Sequence, residues 1–381
     1  MAVDWKAVRR EFPSLAGRTF LNTATFGQLP LRSSEAARLH FERRQQTAAM
    51  DFLAWFEEME PLRASLGRLL NATADDIAFI PNASTALALA ISSIDWQPGD
   101  EMLTLRNEFP NQLYAHAAVG AHSVECDWGE FESRVNDRTR LALFSTVNWA
   151  TGLRPDLSSI VPALRRRGIV VYLDGTQSAG ALQFDSAGAL PDFLAVDAYK
   201  WMISANGAGF LFVHPEMRKR LPPRVIGWRS DYDWRSVNTL HQGPPRFGTT
   251  AEKYEPGMLP FPSLYSMKAS VELMEDLGPA AIEARVLQLA ATLRGELKAL
   301  GAEFYPEQPH CLPSQIITAR LPDQDASALA GHLAEQGIII SSRYGYLRIS
   351  PHFYNNEEDV EVLLQALRTA VRQAKSVRAH A

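Results

Sequence analysis

The sequence predicts an α/β fold in which a large domain on a mostly parallel sheet precedes a smaller α+β domain. Three observations predict it. Short apolar runs alternate with helical patterns through the middle of the chain. The composition then turns irregular over residues 222–262, rich in Pro, Gly, Arg and Trp (PPRVIGWRSDYDW, HQGPPRFGTT, EPGMLPFP), before two long helical patterns begin. With 381 residues, 46% of them hydrophobic, the chain can bury two cores. The expected division places the large domain at 16–262 and the small one at 263–381, with residues 1–15 packing back onto it.

The elements follow in order. Strands are expected at Ile77–Ile80, Glu101–Leu105, Leu141–Val147, Ile169–Leu173, Phe193–Val196 and Gly209–Val213, each a short apolar run bounded by turn residues. Helices are expected between them at Ser84–Ile94, Asn111–Val119, Asp156–Arg167 and Thr176–Ala181. Alternation of this kind makes the strands parallel and places ligands at their C-terminal ends. Past the irregular segment come helices at about 263–277 and 279–300 and a strand at Gln315–Ala319. A helix follows at Asp325–Gln336, then strands at Ile338–Ser341 and Tyr346–Ser350, and a closing helix at Glu357–Lys375. Long irregular segments usually carry function, so Trp228-Arg229 and Trp234-Arg235 are candidates for shaping a pocket.

Composition excludes several classes. A formal charge of −5 and a pI near 6.0 argue against nucleic acid as the partner. No run approaches the roughly 20 apolar residues of a membrane helix. Two cysteines, Cys126 and Cys311, form neither a CxxC nor a Cys/His cluster, so no metal site or disulfide framework is expected. The chain reads as a cytoplasmic enzyme.

The chemistry concentrates between Val170 and Gly209. One apolar run ends on Asp174, with Gln177 three residues on. The next leads into Tyr199-Lys200. An acid at the end of one buried strand and a lysine after its neighbour suit pyridoxal 5′-phosphate (PLP): the lysine forms a Schiff base and the acid keeps the pyridine nitrogen protonated. Burial in DAYKWM lowers the amine pKa and favours that chemistry. Asp174-Gly175 is also a common turn, but a carboxylate after a buried run is costly without a partner. Gln177 can reach the cofactor's phenolic oxygen from the same turn. Asn82-Ala83-Ser84-Thr85, between strand and helix, offers hydroxyls and N–H groups to a phosphate, although Ser and Thr are equally ordinary N-caps. Tyr199 can add a phenolic donor.

From FLNTATFGQLP near the start to LRISPHFYNNEEDVEVLLQAL near the end, the chain resembles fold-type I PLP enzymes of the aminotransferase class V group. That group includes cysteine desulfurases, kynureninases and isopenicillin-N-epimerase-like proteins. The resemblance rests on the central DGTQ…K spacing and the terminal R-x-S-x-x-x-YN-x-x-x-D pattern. It implies that Ser84 and Thr85 bind the phosphate and that Phe109 in NEFPN stacks on the pyridine. It further implies that Asn148 in STVNWATG lies near the cofactor oxygen and the substrate, with Asp174, Gln177, Tyr199 and Lys200 in the roles above. Arg348 then grips the substrate α-carboxylate by its guanidinium fork, and Asn22, Thr23 and Ala24 line the substrate side. A homodimer is implied. Phe109 and Tyr199, where desulfurases carry His, point to the kynureninase-like branch.

The chain departs from the group at two places. The desulfurase cysteine is missing from the short stretch Ile340–Tyr346, which argues against persulfide chemistry. Met258 replaces the hydroxyl that in many relatives reaches the partner subunit's phosphate, leaving Thr249 or Thr250 as substitutes. Together these features favour a lyase cleaving a Cβ–S or Cβ–C bond of an amino acid. An aminotransferase using a keto-acid acceptor, an epimerase and a non-catalytic PLP-binding relative are the alternatives.

Overall fold

The computed structural model describes residues 3–184, 190–240 and 243–380. Residues 1–2 and 381 of the expected small domain, and 185–189 and 241–242 of the large one, lie outside the described residues. The chain opens with a short helix, Trp5–Arg9, and strand β1 (Thr19–Phe20). Seven strands then build one sheet: β2 (Ile77–Ile80), β3 (Glu101–Leu105), β4 (His122–Cys126), β5 (Thr139–Ser145), β6 (Val170–Asp174), β7 (Phe193–Asp197) and β8 (Gly209–Val213). Their order is β2-β8-β7-β6-β5-β3-β4. Only β8 runs against its neighbours, so the sheet is mostly parallel, as expected. Its central strands are buried on both faces, which explains their unbroken apolar runs.

One consequence decides where chemistry can occur. Because β2, β3, β5, β6 and β7 point the same way, the segments after Ile80, Leu105, Ser145, Asp174 and Asp197 all emerge at one edge of the sheet. That edge gathers the helix at Ala83–Ser92, Phe109, Asn148, Asp174 and Lys200. Strand β4 is absent from the sequence expectations because it is a half-exposed edge strand (HSVEC) without an apolar run.

The second sheet, four-stranded and antiparallel, has the order β12-β13-β10-β9: β9 (Glu303–Phe304), β10 (Ile317–Arg320), β12 (Ser341–Arg343) and β13 (Tyr346–Ile349). Strand β11 (Ile338–Ile339) leaves that sheet and pairs in parallel with β1. This splits the single strand expected at Ile338–Ser341. Leu347 and Ile349 join a core with Leu293, Leu333 and Leu363 from the flanking helices, while Arg348 and Ser350 turn to the other side. Arg9 ties the N-terminal helix to the last one by pairing with Asp359 at 2.7 Å, and Phe12 packs on Tyr354.

One expectation needs correction and another is sharpened. Thr176–Ala181 forms consecutive turns, not a helix. Gly180 sits at φ +93, and an added Cβ there would lie 2.3 Å from the Trp201 carbonyl oxygen, so the segment gives up helical geometry to pack against the Lys200 turn. Trp228 and Trp234, expected to shape a pocket, do line a cavity together with Asp231 and Arg246, while Trp234 also packs inward. Trp234 and Arg229 are 1% exposed, and Arg229 lies over the rings of Phe56 and Trp234 at 4.6 and 4.5 Å. Arg229 is fixed in the core by ion pairs to Glu252 and Glu255, whereas most described residues of 222–262 are exposed or part-buried.

Candidate active site

Lys200 follows β7 in a tight turn and is 9% exposed. Its carbonyl accepts from the Ile203 N–H, and Ile203 adopts φ +50, an outlier for a β-branched residue. Such strain persists only where the surroundings over-determine it. Two glycines supply that determination. Gly180 lies against Trp201. On the other side, Gly27 donates its N–H to the Tyr199 carbonyl at 3.0 Å, and an added Cβ would fall 1.8 Å from the Lys200 oxygen. Gly27→Ala is therefore expected to displace the turn and reduce kcat at least about 10²-fold, the cost of roughly ångström-scale misplacement. Steady-state kinetics beside an unchanged circular dichroism spectrum checks this; near-native kcat would contradict it.

Burial lowers the Lys200 amine pKa, opposed by Asp174 and Asp197 and assisted by Arg348 and Arg343. The amine makes no hydrogen bond to a described residue, and it stands 5.5 Å from the Phe109 ring centre and 5.4 Å from that of Tyr199. Tyr199 is half-buried, packs on Phe26 at 4.6 Å, and burial pushes its phenol up to about 12.

Asp174 ends β6 in register with Ser145 of β5. It accepts from the Thr176 N–H at 2.9 Å and from Gln112 Nε2 at 3.1 Å. Gln112 also reaches Ser145 Oγ at 3.4 Å, and Ser145 donates its N–H and hydroxyl, both at 2.6 Å, to the fully buried Glu108. Burial, with Asp174 nearby, pushes Glu108 up to about 7. Two buried carboxyls linked through Gln112 and Ser145 thus favour the protonated form of one. Glu108, Gln112 and Ser145 are absent from the sequence reading, which weighed only Phe109 in NEFPN; they stand out only once the strands are in register.

A stability consequence follows. The Glu108 pKa is raised in the fold, so its contribution is fully present below about pH 4.5, falls as pH rises toward about 7 and is flat above. Glu108→Gln should remove that slope. Its stability relative to wild type then improves by ~3 kcal/mol across this window, at about 1.4 kcal/mol per pKa unit. Urea titrations over this pH range test it; parallel curves would refute it.

The remaining expected residues fall as follows. Gln177 donates one Nε2 hydrogen to the Ala24 carbonyl at 3.0 Å and accepts from the Trp201 indole at 2.7 Å, which braces the Lys200 turn and leaves its second Nε2 hydrogen without an acceptor among the described residues. Asn148 Oδ1 accepts from Ala150 and Thr151, and its Nδ2 donates to the Asn107 carbonyl, shaping the turn that presents Trp149. Ser84 is exposed at the start of the helix Ala83–Ser92, whereas Thr85 bonds back to the N-cap Asn82. The Ala83 N–H faces Asp197, whose carboxyl burial raises to about 6. Phe109 is 37% exposed. Met258 is 58% exposed, Thr249 accepts from Arg218 through its carbonyl, and Thr250 starts the turn Ala251–Tyr254.

Arg348 is 1% exposed on β13. It donates to the Trp149 carbonyl at 2.6 Å, to Ser341 Oγ at 3.1 Å, to Thr25 Oγ1 and, at 3.5 Å, to Asn22 Oδ1. Every partner is neutral, and no carboxylate among the described residues pairs with it. Burial, then Arg343, pushes its guanidinium down to about 9. A buried cation held only by neutral oxygens has no counter-charge and can accept an anion. The structure therefore brings Asn22 to Arg348, and places the Asn148 turn beside both.

The sequence model of the aminotransferase class-V family matches residues 40–363. The chain belongs to the class V aminotransferase family. The isopenicillin N epimerase of Streptomyces clavuligerus is similar at 28% identity, over 96% of this chain and 98% of its own. A probable cysteine desulfurase of Methanothermobacter thermautotrophicus is 22% identical over 94% of this chain and 96% of its own. Among solved structures, the cystine C–S lyase C-DES in complex with cysteine persulfide has a TM-score of 0.83 at 23% identity, covering 93% of this chain and 98% of that one. A mutant of C-DES with glycine covalently linked to PLP gives 0.84 at 23% identity, covering 94% and 98%.

This class V chain is a PLP-dependent enzyme with the type I fold. The residues present fit the cofactor. An unpartnered buried amine at Lys200, a carboxylate at the end of β6 and a free hydroxyl at a helix N-terminus meet at the same sheet edge. Among the described residues, no helix is long and apolar enough to cross a membrane, and no group of His, Cys, Asp and Glu is arranged to hold a metal ion.

Proposed function

We propose that this class V enzyme is a lyase that removes the α-proton of an amino acid and expels a substituent from Cβ through sulfur or carbon. The observation that carries the amino-acid part is Arg348, a buried guanidinium without a carboxylate partner whose charge reaches the Lys200 amine. We assign it the α-carboxylate, with Asn22 and the Asn148 turn beside it. When bound, PLP supplies an electron sink conjugated to the substrate's Cα. We assign its phosphate to Ser84, Thr85 and Tyr199, its ring to Phe109, its ring nitrogen to Asp174 and its phenolic side to Gln177 and Asn148.

Lys200 Nζ then takes the Cα proton. Its lowered pKa leaves more free amine near neutrality than an exposed lysine has, which is what a general base needs. Gln112 and Thr176 keep the Asp174 carboxylate fixed while the proton moves. Phe109, edge-on to Trp149 at 5.5 Å, gives the amine an apolar flank on that side.

Persulfide transfer needs a thiolate. Burial pushes Cys126 and Cys311 up to about 11, and neither lies in the turn between β12 and β13. The double variant Cys126→Ser, Cys311→Ser is thus expected to keep its turnover. We further propose a cytoplasmic homodimer, with the exposed Met258 turn toward the partner. Incubation with amino acids should release ammonia, with sulfide from sulfur-bearing substrates, without any keto acid. Turnover only with an added keto acid would establish the aminotransferase, and inversion at Cα without release would establish the epimerase.

A further inference from the structure

Resting on the assignment of Arg348 to the α-carboxylate, we propose that the substrate is an acidic amino acid, its side-chain carboxylate held by Arg343. The register of the β12–β13 hairpin makes the case first. Ser341 pairs with Arg348 and Arg343 with Tyr346. Side chains alternate along a strand, so Arg343 shares a face with Ser341, and Ser341 Oγ accepts directly from Arg348 Nε. Arg343 is therefore the diagonal neighbour of Arg348, a separation of about 7–8 Å in a sheet.

Both guanidiniums lie over the same indole, Arg343 at 5.6 Å and Arg348 at 5.9 Å from the Trp149 ring centre. Trp149 meets Phe109 edge-on at 5.5 Å, and Phe109 in turn flanks the Lys200 amine. One wall thus runs from Lys200 to Arg343. The turn that carries Arg343 is tight: Tyr344 and Gly345 sit at φ +51 and +79, a two-residue reversal that fixes the position of the arginine.

Charge accounting makes the second case. Other buried arginines are matched, Arg63 by Glu255, Arg229 by Glu252 and Arg285 by Glu357. Arg343 is partly buried, yet among the described residues its only side-chain hydrogen bond goes to the Ser342 carbonyl, and no carboxylate pairs with it. Its field lowers the pKa of both Arg348 and Lys200. The Trp149 Nε1 is also buried without an acceptor. An α-carboxylate answers one guanidinium and leaves the other unanswered; a second carboxylate on the same molecule answers both.

The test uses the PLP-loaded enzyme and amine-free probes in a calorimetric titration. Succinate or glutarate should bind at least about 30-fold tighter than butyrate, and Arg343→Gln should cut that preference to within about threefold. Arg343→Lys should retain part of it. In parallel, the apparent Kd for L-norvaline divided by that for L-aspartate or L-glutamate, read from the change in the cofactor's visible absorbance, should fall at least about 30-fold in Arg343→Gln, mostly through weaker binding of the acidic amino acid. Equal binding of diacid and monoacid by the wild type overturns the proposal, as does an Arg343→Gln variant that weakens both alike. The underlying assignment fails differently: no amino acid, acidic or neutral, would then change the visible absorbance of the cofactor.

Discussion

Lys200→Ala is expected to reduce kcat by about 10³–10⁴-fold, the upper range for removing a positioned general base. The size of the effect follows from isolation. Lys200 is the lysine at the sheet edge, 9% exposed, held by a turn that Gly27 and Gly180 clamp from either side. No other described lysine neighbours Phe109 or Tyr199 within ring-contact distance. The variant should keep its fold, because the turn is fixed by backbone contacts and by the Gln177–Trp201 hydrogen bond, not by the amine. It should also lose the visible absorbance of the lysine-bound cofactor while still retaining PLP after gel filtration. Retained turnover would place the base elsewhere.

The second large effect concerns stability. Glu255 is 1% exposed and lies between two buried guanidiniums, Arg63 at 2.6 Å and Arg229 at 2.8 Å, and it also accepts from the Phe79 N–H at 2.7 Å. Glu255→Ala leaves both cations short of a counter-charge and one strand N–H without its acceptor. The expected cost is about 3–5 kcal/mol, typical of breaking a buried pair from one side. Chemical denaturation should show an earlier midpoint by that amount. Because Glu255 anchors the start of the turn bearing Gly257 and Met258, the homodimer proposed above predicts weaker association of the same variant in sedimentation. A loss below about 1 kcal/mol would mean that Glu252 and Glu60 already neutralise the cluster.

Legibility in the sequence varied with burial. Strands with continuous apolar runs, such as Val170–Asp174 and Gly209–Val213, were readable because both faces are covered. The half-exposed β4 was not, and Thr176–Ala181 looked helical because its side chains suit a helix while Gly180 and the Trp201 contact forbid one. Within the site, Asp174 and Lys200 were readable because a charge at the end of an apolar run is conspicuous. Glu108, Gln112 and Ser145 were not, because they reach Asp174 through strand register and a helix turn that no local spacing encodes. Arg343 lies within Ile340–Tyr346, the stretch that lacks the desulfurase cysteine; only the fold shows that no acid stands beside it among the described residues.

By itself, the sequence determined the fold class, the cofactor chemistry and the edge of the sheet where both meet, since hydrophobic period and strand-end charges are local properties. Only the tertiary structure decided which cations remain uncompensated. Arg229 and Arg348 look alike as residues in a sequence, but one is buried against Glu252 and Glu255 and the other against neutral oxygens. Charge compensation depends on contacts between residues far apart in the chain, and it is this that separates a compensated arginine from an uncompensated one.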